Sequence, residues 1–178
     1  MKKWILRVVA GFFLLIALFV LGLYIASGGA KGKGYHEASV VMNKPAVAIF
    51  PWLTDPGKQK EWIFGLAESK PLTEGGLRVG ARSQEIMLVG EEQTVMESEV
   101  TALDPNKLMA VKVTSEGFDG DIRYALEEAG ASTTLRYTGD FRYRPFMLRL
   151  LEPLITPSAQ RKLEGDLMKL KSVVEAGQ

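Results

Sequence analysis

The hydroxyls of Ser98, Tyr124 and Tyr137 and the carboxylates of Glu85, Glu97 and Glu99 are the side chains here whose types and spacing suit chemistry. They lie in segments that alternate apolar and polar residues, so each belongs to one face of a strand. Met96, Ser98, Val100 and Ala102 share an apolar face, as do Met109, Val111 and Val113. Ile122, Tyr124 and Leu126 form a third such row, and Leu135, Tyr137 and Phe141 a fourth. A hydroxyl on an apolar face needs a partner from backbone, water or ligand. Two inward carboxylates could do acid–base work, but alternation sends Glu97 and Glu99 to the opposite, solvated face. Glu85 stays open, because Ile86 and Leu88 compete with Met87 and Val89 for the interior.

Other chemistries find little support. His36 is the single histidine, near the edge of a first strand, with no evident partner for general-base work. The chain has no cysteine, which removes disulfides, thiol nucleophiles and thiolate metal sites. One histidine makes a zinc site improbable, and Asp119-Gly120-Asp121 is too sparse for a carboxylate-bound cation. Gly28-Gly29 and Gly75-Gly76 lack the strand and helix context of a phosphate loop and read as linker and turn. No cofactor is expected. Three of the 22 bases, Lys2, Lys3 and Arg7, precede residue 27, leaving 19 against 21 acids. That balance lacks the basic footprint of a nucleic-acid binder.

The elements that position these groups begin with an anchor. Val8–Ala26 carries no charge and would span roughly 28 Å as a helix, close to the hydrocarbon thickness. Trp4 and Tyr24 flank it, where aromatic rings favour the interface. Its length favours a retained single-pass membrane helix over a cleaved signal peptide, whose apolar region is shorter. Lys2, Lys3 and Arg7 outweigh Lys31 and Lys33, which favours a cytoplasmic N-terminus and a domain on the periplasmic or extracellular face. Residues 1–26 are therefore read as the anchor, 27–34 as a flexible Gly/Lys tether, and 35–178 as the folded domain.

Within that domain Tyr35–Met42 reads as a strand. Pro45 opens a short helix that Pro51 should kink or shorten, and Lys58–Ile63 adds one more helical turn. Period-two segments follow at Leu66–Leu72, Ala81–Val89, Gln93–Leu103, Lys107–Glu116, Asp121–Glu128 and Ser132–Tyr143, joined by turns short enough for antiparallel neighbours. Gly117-Phe118-Asp119-Gly120 is read as one of those turns. In Ser158–Ala176, Leu163, Leu167, Leu170 and Val174 make one helical stripe. Thr156 suits its cap and Pro157 its first turn. The crowded apolar run Phe146–Ile155, broken by Pro145 and Pro153, is read as core filler, a flap or a lipid contact. The fold class is α+β: a curved seven-stranded antiparallel sheet gripping a long C-terminal helix, with two short helices after the first strand.

The run Lys44-Pro45-Ala46-Val47-Ala48-Ile49-Phe50-Pro51-Trp52-Leu53-Thr54-Asp55-Pro56, with Glu61-Trp62, Gly80-Ala81-Arg82, residues 99–108 and Leu167-Met168-Lys169-Leu170-Lys171, resembles the polyketide cyclase/dehydrase and lipid-transport group of the START-like (SRPBCC) superfamily. The likeness spans about Ser39 to Glu175; Pro51 departs from it. It implies the helix-grip fold and an apolar cavity under the last helix for a lipid, sterol, polyketide or aromatic molecule. It supplies no catalytic motif. The expected cavity residues are Met96, Ser98, Val111, Ile122, Tyr124, Leu126, Leu135, Tyr137, Phe141, Leu163, Leu167 and Leu170, with Trp52 and Trp62 packing at its end. The leading expectation is a membrane-anchored module that binds or transfers a hydrophobic small molecule. A cyclase- or hydrolase-like enzyme using Tyr124, Tyr137 or Glu85, and a protein-interaction scaffold, stand beside it.

Overall fold

The computed structural model describes residues 2–177. The Lys2 and Lys3 side chains, counted above in the positive flank, lie outside the described part. The element order is α1 (Lys2–Ala26), β1 (Lys33–Met42), α2 (Ala46–Thr54), α3 (Pro56–Trp62), β2 (Leu66–Pro71), β3 (Arg82–Val89), β4 (Glu92–Asp104), β5 (Leu108–Ser115), β6 (Phe118–Ala129), β7 (Ser132–Tyr143) and α4 (Phe146–Ala176). The seven strands form one antiparallel sheet in the order β1-β7-β6-β5-β4-β3-β2. The fold class read from the sequence is the one observed.

From β2 to β7 each strand pairs with the next in sequence, whereas β1 and β2 are the two edges. The chain crosses between those edges through α2 and α3. Asp55 caps α3 by accepting from the backbone N–H of Gly57 at 2.7 Å and of Lys58 at 3.3 Å. The Trp62 indole N–H donates to the Trp52 carbonyl at 2.9 Å and ties α3 to α2. Helix α2 runs through Pro51 to Thr54, so the proline does not end it.

Three sequence expectations change within the sheet and the last helix. First, α4 does not begin at Thr156. It starts at Phe146 and continues through Pro153 and Pro157. The two prolines stand four apart, on one helix face. Leu150 is buried before them and Leu167, Leu170 and Val174 after them, so packing at both ends outweighs the two missing N–H groups. Phe146–Ile155 is thus the first turns of α4. Second, Gly117–Gly120 is not all turn: β6 begins at Phe118, with Asp119 opposite Thr114. Third, a bulge between Val100 and Ala102 in β4 reverses the alternation. Leu103, not Ala102, then packs on the core.

Ser27–Gly34, expected as a flexible tether, is a turn leading straight into β1. The Ser27 hydroxyl donates to the Tyr24 carbonyl at 3.0 Å and accepts from the Ala30 N–H at 2.9 Å. The backbone at Gly32 (φ +64°) passes so close to Arg149 on α4 that a Cβ would collide with its Cγ. Only glycine fits there. Along α1, Leu23 is the one buried side chain among those described; its neighbours face outward all round.

Helix α4 makes its main contacts with the edge strand β1, and lesser ones with β7, α2 and α3. At that side the core is closed: Met42, Ile49, Leu135 and Leu170 are all 0% exposed. Toward β3, β4 and β5 the sheet arches away from the helix.

Candidate functional site: a cavity between sheet and last helix

The arch leaves a cavity of about 1210 Å³. Its floor follows strand alternation. Ser83, Glu85 and Met87 come from β3, Met96 and Ser98 from β4, Val111 and Val113 from β5, Ile122 and Tyr124 from β6, and Tyr137 and Phe141 from β7. Its roof is α4, through Ile155, Ala159, Leu163 and Asp166; Trp62 and Ile63 close one side. The exposed residues Leu72, Glu74 and Leu77, in the connection between β2 and β3, border its opening.

Of the residues expected to line it, Met96, Ser98, Val111, Ile122, Tyr124, Tyr137, Phe141 and Leu163 do so. Leu126, Leu135, Leu167 and Leu170 do not. They sit in the closed core, where α4 rests on β1 and β7 and α2 fills the remaining space. Trp52 packs against that core, while Trp62 reaches the cavity wall.

The register decides the open question at Glu85. It pairs with Met96, and Ser83 with Ser98, so all four side chains share the inner face. The Ser98 hydroxyl donates to Glu85 Oε1 at 2.8 Å, and the Ser83 and Ser98 hydroxyls lie 3.1 Å apart. Burial holds the Glu85 carboxyl above its ordinary range; the Ser98 hydrogen bond opposes this more weakly. Tyr124 and Tyr137 pack edge to face, ring centroids 5.2 Å apart. Burial pushes both phenols up, Tyr124 well above its ordinary value. Nearby Asp166 adds to both shifts, and Glu85 to that of Tyr124. Neither tyrosine hydroxyl has a hydrogen-bond partner among the described residues, so backbone does not satisfy them.

One polar group of the cavity was missed by sequence reasoning, and His36 lies in the edge strand where it was expected. Asp166, outside the apolar stripe of the last helix, is buried on the cavity roof. It accepts from the Phe64 N–H at 3.0 Å and from Lys162 Nζ at 2.6 Å, tying the end of α3 to α4. Its spacing of three from Leu163 was the available signal. His36 is buried at the far end against Phe141, ring centroids 5.4 Å apart, and burial lowers its pKa. Its Nδ1 finds no hydrogen-bond partner among the described residues, and the nearby Gln160 and Glu152 oppose the burial effect more weakly. Among the described residues no three His, Cys, Asp or Glu side chains cluster to hold a metal.

A curved antiparallel sheet closing over a long last helix, with a cavity between, is one half of the case for kinship. The other is a match of residues 36–175 to the family described as polyketide cyclase / dehydrase and lipid transport. The chain belongs to that family. Three solved structures share its helix-grip architecture. A conserved protein from Geobacillus kaustophilus aligns with a TM-score of 0.68 and 15% identity over 79% of this chain and 94% of its own. TTHA0849 from Thermus thermophilus gives 0.66 and 16% over 81% and 99%. CV1439 from Chromobacterium violaceum gives 0.62 and 14% over 80% and 97%. At such identities the likeness shows the fold alone. No curated protein matches the sequence. Family membership makes residues 36–175 a ligand-binding or cyclase-like domain.

Proposed function

We propose that this protein is a membrane-anchored carrier that holds a hydrophobic small molecule between the sheet and α4. The observation that carries the reading is the cavity itself. Its volume is large for a domain this size, its walls are chiefly apolar, and a few polar groups converge on it, as in small-molecule sites generally.

The anchor rests on α1. Arg7–Ala26 is long and apolar enough to cross a bilayer, a test that signal sequences also pass. In the anchored reading the positive flank keeps the N-terminus in the cytoplasm and places the domain outside. The domain then sits against the bilayer, because the turn after α1 is docked on Arg149 rather than free. The first half of α4 supports lipid contact: Phe146, Met147 and Leu154 are exposed, and Ile155, the next residue, lines the cavity.

The test is to purify the full chain from membranes, extract it with solvent and identify what is released by mass spectrometry. A hydrophobic compound that co-purifies, with the protein resisting alkaline extraction from the membrane, is the expected result. An empty protein that also fails to take up a nonionic hydrophobic dye counts against it. The second reading, a cyclase-like activity, is favoured by one observation, the Glu85–Ser98 pair inside the cavity. It requires that a bound compound be converted, and that Glu85→Gln abolish conversion without releasing the compound.

A further inference from the structure

The polar row on the β3–β4 wall has a direction. Ser98 spends its single hydroxyl proton on Glu85 Oε1, so the proton shared between the serines belongs to Ser83. Both serine protons therefore point along the wall toward the carboxylate. What the row turns to the cavity are acceptors: Glu85 Oε2, which takes no hydrogen bond among the described residues, and the lone pairs of Ser83.

The charges around the cavity agree. Its two cations, Arg82 and Lys162, are already paired with Glu97 and Asp166. Glu85 makes no ion pair among the described residues, and the hydrogen bond its carboxyl accepts comes from Ser98. A carboxylate inside an apolar space without a cation is costly unless something supplies the missing donor. Among the described residues nothing supplies it to Glu85 Oε2.

Resting on the carrier reading above, we propose that Glu85 is a selectivity residue. The ligand this cavity takes has an apolar body and a hydrogen-bond donor, a hydroxyl or an amine, that docks on Glu85 and Ser83. Amphiphiles with an anionic head are rejected, because they would place charge against Glu85. Lipids ending in a free carboxylate are thus poor ligands, although their tails would fit.

The test uses the full chain in nonionic micelles with an equimolar mixture of n-dodecanol, n-dodecylamine and n-dodecanoate. After gel filtration the retained compounds are extracted and quantified. The alcohol or the amine should be retained over the carboxylate by about tenfold, the scale of one hydrogen bond to a charged group. The alcohol-to-amine ratio tells which donor fits better. Glu85→Leu should abolish the preference, bringing retention of the alcohol and the amine down to that of the carboxylate, and Glu85→Gln, of nearly unchanged shape, should weaken it. Circular dichroism on both variants checks that they fold. Equal retention of the three compounds by the unaltered chain, or a preference that survives in both variants, overturns the inference and leaves the carrier reading standing. Retention of none of them overturns the carrier reading, and the inference with it.

Discussion

The two ends of the gap between α4 and the sheet use similar residues to opposite ends. Near β1 and β7, Leu135, Leu167 and Leu170 interlock with Met42 and Ile49 and leave no room. Near β3–β6, Met96, Val111 and Ile122 look just as suited to a core, yet they line a void. The difference lies in what comes from above. Helix α2 inserts Ile49 at the closed end, and its last turn reaches the cavity only through Leu53 and Thr54. At the hollow end α3 contributes only a side wall at Trp62, and the connection after β2 frames the opening. Small residues widen the space further: Ser83 and Ser98 on the floor, with Gly120 and Gly139 flanking Phe141. Apolar patterning thus specifies a buried face, but the partner element decides whether that face is filled.

Truncation at each end probes the contrast. Leu170→Ala should cost about 2–5 kcal/mol, because it opens a new cavity in close packing. Ile122→Ala should cost less than about 2 kcal/mol, since its side chain already borders empty space and only the transfer part is lost. Urea denaturation of the full chain in micelles measures both. Equal costs would mean that the hollow is packed shut in solution.

The polar groups of the hollow end give two finer tests. The Glu85 carboxyl titrates above its ordinary 4.5 in the fold. A raised folded pKa means that the native state binds the proton more tightly than the unfolded chain. Stability linked to Glu85 is therefore fully present below about pH 4.5 and falls as pH rises through the folded value. The difference in stability between the native chain and Glu85→Gln, measured across pH, should show that fall and then level off. Asp119, held low chiefly by its hydrogen bonds from Arg144, acts in the opposite sense and only at lower pH, and it cancels in the difference. The smallest effect belongs to Tyr137→Phe. Its hydroxyl has no protein partner, so stability should change by less than about 1 kcal/mol, and any larger change should appear in ligand retention instead. A loss of stability without ligand would show that the hydroxyl is satisfied within the protein.

Much of this contrast was legible in the residues. The seven strands and their faces follow from period-two alternation and short turns, and the stripe Leu163–Val174 marks the helix they grip. The first half of α4 was hidden, because Pro153 and Pro157 are local helix breakers and burial on both sides of them, at Leu150 and at Leu167–Val174, keeps the helix running. The bulge at Val100–Ala102 was hidden for a related reason: one extra residue flips every later face, and nothing in the local alternation marks it. Glu85 lay in a strand apolar on both sides, so its inward face emerged only from the pairing with Met96. Four expected cavity residues, Leu126, Leu135, Leu167 and Leu170, fell into the closed core because facing inward does not say which end of the gap a residue faces.

The most direct measurement of the central claim compares compound retained per chain for the native protein and for Val111→Trp. Val111 lies mid-floor, and an indole there would occupy the space a ligand needs. The full chain purified from membranes should carry up to about one hydrophobic molecule per protein, and the folded variant should carry far less. Equal retention by the two, or none by either, would contradict a ligand held between α4 and the sheet.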